Sequence, residues 1–243
     1  MRAKYRSIPI LSPYTKKTYS IFKEKDKFIV KTLKKYLKNY EFKNNNLIDV
    51  GCGNALLLYR IKKQFPKLNL KGVDKEKKFI RVAKKFSGLL GVEFEINDIY
   101  KIKKKYDIVI CSSTFQIFDD YKKPLNKLIS LANKKGLVFV DGLFNNYDVE
   151  TRLIYCDNSN RVAKNLWRKD WNQHSIKTIS NFLKSKKINS FKFYDLLMNK
   201  NIKYNKNIHV NQFTFRNKKN YNLITNGTNM ILNRKLLVIR LNK

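Results

Sequence analysis

The stretch Leu47-Ile48-Asp49-Val50-Gly51-Cys52-Gly53-Asn54-Ala55-Leu56-Leu57-Leu58-Tyr59-Arg60-Ile61 decides how the chain is read. An apolar run ends in an acid and two closely spaced glycines, and helical spacing follows. The pattern predicts a buried strand, a bare turn and a helix. Glycines there let the backbone reverse sharply and let a ligand approach it. Open α/β sheets bind their ligands at such carboxyl strand ends. A dinucleotide fingerprint needs a further glycine where Leu56 stands. A P-loop needs a Gly-Lys-Ser/Thr ending, which is missing here.

The flanking sequence alternates in the same way. Residues 1–22 read as an irregular arm. Lys23 to Tyr40 carries Phe28, Ile29, Leu33, Tyr36 and Leu37 at helical spacing. Strands are expected at Leu47–Val50, Leu68–Asp74, Val92–Asn97, Tyr106–Ser113 and Gly136–Phe144. Helices are expected at Ala55–Phe65, Lys75–Phe86 and Lys123–Asn133. Such alternation implies right-handed crossovers and a parallel sheet covered on both faces, a doubly wound α/β fold. Ser175 is expected to cap a helix with Ile176, Ile179, Phe182 and Leu183 facing inward. A strand is expected from Phe191 towards Met198, a loop over 199–212, and β structure in the tail.

One domain over residues 1–243 is the expected organisation. Residues 1–45 form an arm and helix, and 46–144 a ligand-binding core. Residues 145–173 and 199–228 read as substrate-covering insertions, too aromatic for disorder, and 229–243 as the last strand.

Composition bounds the partners. The formal net charge is +35, a field that draws anions. The lysines are spread along the chain and accompanied by many asparagines and isoleucines, which favours compositional drift over one evolved footprint. A small anionic substrate fits either view, and nucleic acid is the second expectation. The 3 cysteines form no Cys-x-x-Cys, which argues against a disulfide framework or a zinc site and for a cytoplasmic protein. No stretch has the length and apolarity of a membrane span.

The segment Asp49-Val50-Gly51-Cys52-Gly53-Asn54-Ala55 resembles the first motif of class I S-adenosylmethionine-dependent methyltransferases, an acid followed by Gly-x-Gly-x-Gly. Ala55 replaces the third glycine. Three further features agree in order and spacing. Asp74, with Lys75, matches the acid that accepts the ribose hydroxyls. Asp98, with Ile99, matches the adenine position. The run Ser112-Ser113-Thr114-Phe115 follows the fourth strand. The resemblance covers residues 25–144 well and 175–243 in outline. It implies a Rossmann-like seven-stranded sheet, mostly parallel, whose antiparallel last strand would be Leu236–Leu241. It also implies an S-adenosylmethionine cofactor held by Asp49, Gly51, Cys52, Gly53, Asp74, Lys75, Asp98, Ile99, Ser112, Ser113 and Phe115.

The acceptor side is thinner. A sulfonium methyl is already activated, so placement and water exclusion can supply much of the rate. Amino-directed members of the family often carry Asp/Asn-Pro-Pro-aromatic after the fourth strand; this chain does not. Cys111 lies inside a strand pattern and reads as core. His174, ahead of the capped helix, is the first candidate for a general base, and His209 a weaker one. Tyr147, Arg152, Tyr155 and Trp171 are the candidate substrate contacts, with Arg161 and Arg168 as further basic positions. The expectation is an O-directed small-molecule methyltransferase similar to the type 11/12 group. A sugar, nucleotide-linked or phosphorylated acceptor would suit the charge, and surface-polysaccharide biosynthesis is one setting by analogy. An RNA methyltransferase and a non-catalytic S-adenosylmethionine-binding protein are the alternatives.

Overall fold

The computed structural model describes residues 4–5, 20–38, 44–158, 167–169, 171–198, 201–203, 212–216 and 222–242. His209 and Arg161 lie outside them.

The chain opens with helix α1 (Ser20–Leu37), then alternates. Strand β1 (Asn46–Val50) is followed by α2 (Leu56–Gln64), β2 (Asn69–Asp74), α3 (Lys77–Lys84) and β3 (Glu93–Ile96). Next come β4 (Tyr106–Ser112), α4 (Lys122–Ser130) and β5 (Ala132–Asn145). Helix α5 (Ile176–Ser185), β6 (Phe191–Asp195) and β7 (Arg234–Arg240) complete the frame. The main sheet runs β3-β2-β1-β4-β5-β7-β6. Strands β1 to β5 pair in parallel; β7 is antiparallel to both β5 and β6. This is the expected sheet, antiparallel last strand included.

The reason lies in the side chains. β4 is buried at every position, and β1 from Leu47 to Val50, because both faces of a central parallel strand are covered. Ile29 and Leu33 of α1, Leu58 and Ile61 of α2 and Ile80 of α3 pack on one face with Leu47, Ile108, Ile110 and Phe139. Leu125 and Leu128 of α4 and Ile179 and Leu183 of α5 pack on the other with Ile48, Val109 and Val138. The chain winds outward from β1 to β3 and then returns to place β4 on the opposite flank of β1. That reversal opens a crevice at the carboxyl ends of β1 and β4, the position that ligands of this architecture occupy.

Residues 145–173 depart from expectation by being partly regular. Ile154–Cys156 pairs antiparallel with Trp167–Lys169, which also pairs in parallel with Lys4–Tyr5. Phe213–Arg216 and Asn222–Thr225 pair antiparallel, β structure that was expected in the tail. His174–Ser175 adds a short parallel bridge to the end of β5, which runs longer than the sequence pattern suggested. β6 stops at Asp195, short of Met198, which instead packs with Leu143, Trp171, Ile224 and Leu232 in a small cluster joining the cover to β5.

Ser175 is the expected cap of α5. Its Oγ accepts the Thr178 N–H at 3.1 Å and donates to Asp148 Oδ1 at 2.7 Å. It is fully buried. Ser175→Ala is therefore expected to lower stability by about 1–2 kcal/mol, read as a fall in the denaturant midpoint with an unchanged slope.

Candidate active site

The glycine turn is built by conformations that side chains avoid. Gly51 has φ +74°, and its N–H donates to the Val73 carbonyl at 2.7 Å. A Cβ on Gly51 would lie 2.3 Å from Thr114 Oγ1, so this position needs glycine for space as well as for φ. Gly53 has φ +54°, and a Cβ there would meet nothing within 4 Å. The backbone is thus bare on an open side. Ala55, at the third glycine position, also adopts a left-handed φ of 63° ahead of α2. A methyl group in that region costs about 1 kcal/mol. The Cys52 side chain points away from the open side, towards β2: a Cβ on Gly72 would lie 2.9 Å from its Sγ.

Asp74 ends β2 and is the hinge of the turn. Its Oδ2 accepts the Gly53 N–H at 2.8 Å and its Oδ1 accepts the Glu76 N–H at 2.9 Å. Burial raises its pKa, and those two N–H groups counter the rise only in part. An ionised carboxylate has lone pairs left for two vicinal hydroxyls. Lys75 beside it is exposed. Asp98 is exposed and accepts the Tyr100 N–H at 2.8 Å, capping the short turn Ile99–Lys101; Ile99 is buried. Asp74 and Asp98 both stand at carboxyl strand ends on the same side as the glycine turn.

Asp49 lies beneath the turn and is 1 % exposed. Its Oδ1 has no hydrogen-bond partner among the described residues. Burial pushes its pKa up to about 8; Lys25 opposes this, and Asp26 and Asp74 add to it. A buried acid without a partner beside an open glycine turn suits a cationic ligand atom, and a sulfonium cofactor supplies one.

A charged network that the sequence reading did not anticipate closes the neighbouring strand ends. Ser113, with φ 56°, donates its N–H and its hydroxyl to Asp141 Oδ2 at 2.9 and 3.1 Å. Arg234 Nη1 donates to the same oxygen at 2.7 Å and to Ser113 Oγ at 3.0 Å. Lys25 Nζ reaches Ser113 Oγ at 2.9 Å and pairs with Asp26 at 3.2 Å; Arg60 pairs with Asp26 at 3.4 Å. Ser112 is buried, with its Oγ 3.4 Å from Asp141. The sequence held signals for these residues. Lys25 falls on the inward stripe of α1 with Ile29, Asp141 interrupts the apolar run LVFVDGLF, and Arg234 opens the last strand.

The expected acceptor residues differ widely in exposure. Trp171, in the cover itself, is 8 % exposed, with the Arg234 guanidinium 5.9 Å from its ring centroid. Tyr147 is 77 % exposed, Arg152 is exposed and Tyr155 half-buried. Phe115 requires a correction. Its ring is wholly buried, stacked on Phe144 and edge-on to His174, so it packs the core rather than flanking a cofactor. His174 is 1 % exposed between Phe115 and Tyr121. Neither ring nitrogen makes a well-formed hydrogen bond among the described residues, although the nearby Phe118 carbonyl favours protonation; Nδ1 is 3.9 Å from Glu150 Oε2. Desolvation prevails and lowers its pKa, so the ring is neutral near pH 7.

Asp49 sets a pH dependence. Its folded pKa lies above the unfolded carboxylate value near 4, so the folded state holds a proton that the unfolded state has lost. Stability falls as pH rises from about 4 to about 8. Asp49→Asn is expected to flatten that slope and to make the ligand-free protein more stable at pH 8, by on the order of 2 kcal/mol. Urea titrations of both proteins at pH 5 and pH 8 check this. Ala55→Gly is expected to add up to about 1 kcal/mol at every pH by relieving the left-handed methyl.

Comparison with known proteins agrees with this geometry. The model of a family described as "Methyltransferase domain" matches residues 41–197. Malonyl-[acyl-carrier protein] O-methyltransferase 1 of Ilyobacter polytropus is 29 % identical over 125 residues, which are 50 % of this chain and 46 % of that protein. An uncharacterized protein of Methanocaldococcus jannaschii is 33 % identical over 107 residues, 42 % of this chain and 29 % of the other. The chain spans about half the length, or less, of the curated relatives it matches. Among solved structures, the plantazolicin methyltransferase BpumL in complex with a monoazolic desmethylPZN analog and SAH aligns over 90 % of this chain and 85 % of its own, at 14 % identity and TM-score 0.55. Magnesium protoporphyrin IX methyltransferase of Synechocystis PCC 6803 with bound SAM aligns over 95 % and 88 %, at 13 % identity and TM-score 0.54. These two show the shared fold. With the family match and the site geometry together, the chain belongs to the class I S-adenosylmethionine-dependent methyltransferases, and its cofactor is S-adenosylmethionine.

Proposed function

We propose that the protein methylates an oxygen of a small molecule. The observation that carries this reading is the seating of the cover on the loop after β4. The Asn172 N–H donates to the Gln116 carbonyl at 2.8 Å, and Asn172 Nδ2 donates to the Phe118 carbonyl at 2.9 Å. Trp171, next in the chain, is buried against the same region. A cover seated on that loop suits an acceptor small enough to be enclosed, and enclosure is what a positional reaction of this kind needs. The absence of Asp/Asn-Pro-Pro-aromatic after β4 supports an oxygen over an amide or base nitrogen.

In this reading Asp74 holds the ribose, Asp98 and Ile99 the adenine end, and the Gly51–Gly53 turn leaves room for the methionine portion. Asp49 faces the cationic part with an acid that ionises readily once a positive charge lies near. The cofactor brings a methyl group activated by its sulfonium. The chain's own task is to hold the acceptor in line and keep water out. A hydroxyl acceptor also needs a base, and His174, neutral near pH 7, serves that role in this proposal if opening of the cover uncovers its ring. The matched malonyl-[acyl-carrier protein] O-methyltransferases supply a precedent for a carboxylate oxygen as acceptor. A phosphorylated or nucleotide-linked acceptor remains compatible with the net charge of +35.

The same charge is the reason to test RNA as well. Incubation with methyl-labelled S-adenosylmethionine and a cell extract, split into metabolite and macromolecule fractions, separates the two. Label is expected in the metabolite fraction, and Asp74→Ala is expected to lower it at least tenfold at low cofactor concentration. Label confined to RNA, lost steeply as salt rises, would contradict the small-molecule reading.

A further inference from the structure

We propose that Arg234 is the receptor for a carboxylate group, brought by the acceptor and bound beneath the cover. The proposal rests on the methyltransferase reading above and deepens it.

The argument begins with what the guanidinium does not do. The Arg234 side chain is 0 % exposed. Nη1 is used twice, by Asp141 at 2.7 Å and by Ser113 at 3.0 Å. Nε and Nη2 are buried and make no hydrogen bond among the described residues. Those two nitrogens form one edge of the guanidinium plane, and their parallel N–H groups are the fork that binds a carboxylate in bidentate fashion. Buried donors left without acceptors are costly, because they have given up their water. A site that keeps such an edge gains most from a ligand that supplies two oxygens.

A second side chain points the same way. Gln116, in the loop after β4, is 0 % exposed, and neither its Oε1 nor its Nε2 has a partner among the described residues. Its backbone carbonyl receives the N–H of Asn172, the neighbour of Trp171, whose ring lies under the Arg234 guanidinium. Two buried polar side chains without partners among the described residues therefore stand on segments that meet the Trp171–Asn172 stretch at the carboxyl ends of β4 and β5. Arginine, amide and indole together suit a planar anion with an apolar tail.

The charged neighbours are Lys25, Arg60 and Arg234, set against Asp26 and Asp141.

A carboxylate could also come from the methionine end of the cofactor, so the test has two arms. Arg234→Lys keeps a cation for Asp141 and removes the fork. Arg234→Met combined with Asp141→Asn removes the ion pair altogether, so that no uncompensated charge is buried. Urea melts establish that each variant folds. Calorimetry then measures two things in each protein. One is the affinity of the S-adenosylhomocysteine-saturated protein for alkanoates from acetate to octanoate, for malonate, and for methyl octanoate. The other is the affinity ratio of S-adenosylmethionine to its decarboxylated analogue. Binding of an alkanoate or malonate, not shared by the methyl ester and lowered at least tenfold in both variants, with cofactor affinity within about twofold of wild type, supports the acceptor as the source. Collapse of the cofactor-to-decarboxylated ratio in both variants assigns the carboxylate to the cofactor and overturns the acceptor assignment. If neither measurement depends on Arg234, the residue is a structural ion-pair partner and the proposal is wrong. Failure of the wild type to bind either cofactor form would instead count against the methyltransferase reading, and alkanoate binding without cofactor would still report on Arg234.

Discussion

The buried contact between Asp141 and Arg234 governs how the site end of the sheet is assembled. It joins the carboxyl end of β5 to the first residue of β7, and through Ser113 it includes the end of β4. Lys25 extends it to α1. A buried ion pair adds little net stability, because desolvation offsets the attraction; removing one partner alone costs about 3–5 kcal/mol. Its consequence is positional. An antiparallel strand entering between β5 and β6 could pair in other registers, and Arg234 opposite Leu143 places the guanidinium where Asp141 Oδ2 can receive it. The same contact holds Ser113 in its left-handed conformation. The loop after β4 therefore leaves the sheet in one direction, and the cover has a fixed surface on which to sit.

Next to this rigid corner lies a turn that is strained and poorly solvated. Gly51, Gly53 and Ala55 are all left-handed, and Asp49 is buried below them with an oxygen unpaired among the described residues. Strain and unmet polar groups persist where the surroundings over-determine them, and they gather at binding sites. Here the surroundings are the Val73 carbonyl, the Asp74 carboxylate and Thr114, which together fix the turn from three sides. A ligand that carries positive charge to Asp49 and hydroxyls to Asp74 meets both acids at this turn. Fold and cofactor choice are linked through this one segment.

Much of this was legible beforehand. The period-two and period-3.6 patterns placed β1 to β5 and α1 to α5, because those elements bury continuous apolar faces that few alternatives could satisfy. Gly51, Gly53, Asp74 and Asp98 stood out because they interrupt apolar strands at their carboxyl ends. The charged corner was not legible as a unit. Lys25 falls on the inward stripe of α1, but it is one lysine among 53 basic residues. Arg234 and Asp141 lie far apart in sequence, and their pairing follows from the β5–β7 register alone. Phe115 was misread for a related reason. A position beside a ligand-binding loop does not say which way the ring turns, and this ring turns inward towards Phe144 and His174. The short strands within residues 145–173 escaped notice because each is too brief to set up a period.

The central claim is that the Gly51–Gly53 turn and Asp74 form an S-adenosylmethionine site. Calorimetric titration of the wild type and of Asp74→Ala with S-adenosylmethionine and S-adenosylhomocysteine tests it most directly. Micromolar binding to the wild type, weakened at least tenfold by Asp74→Ala in a protein that remains folded, is the expected result. A folded wild type that binds neither compound, or binds both with no dependence on Asp74, would contradict the account.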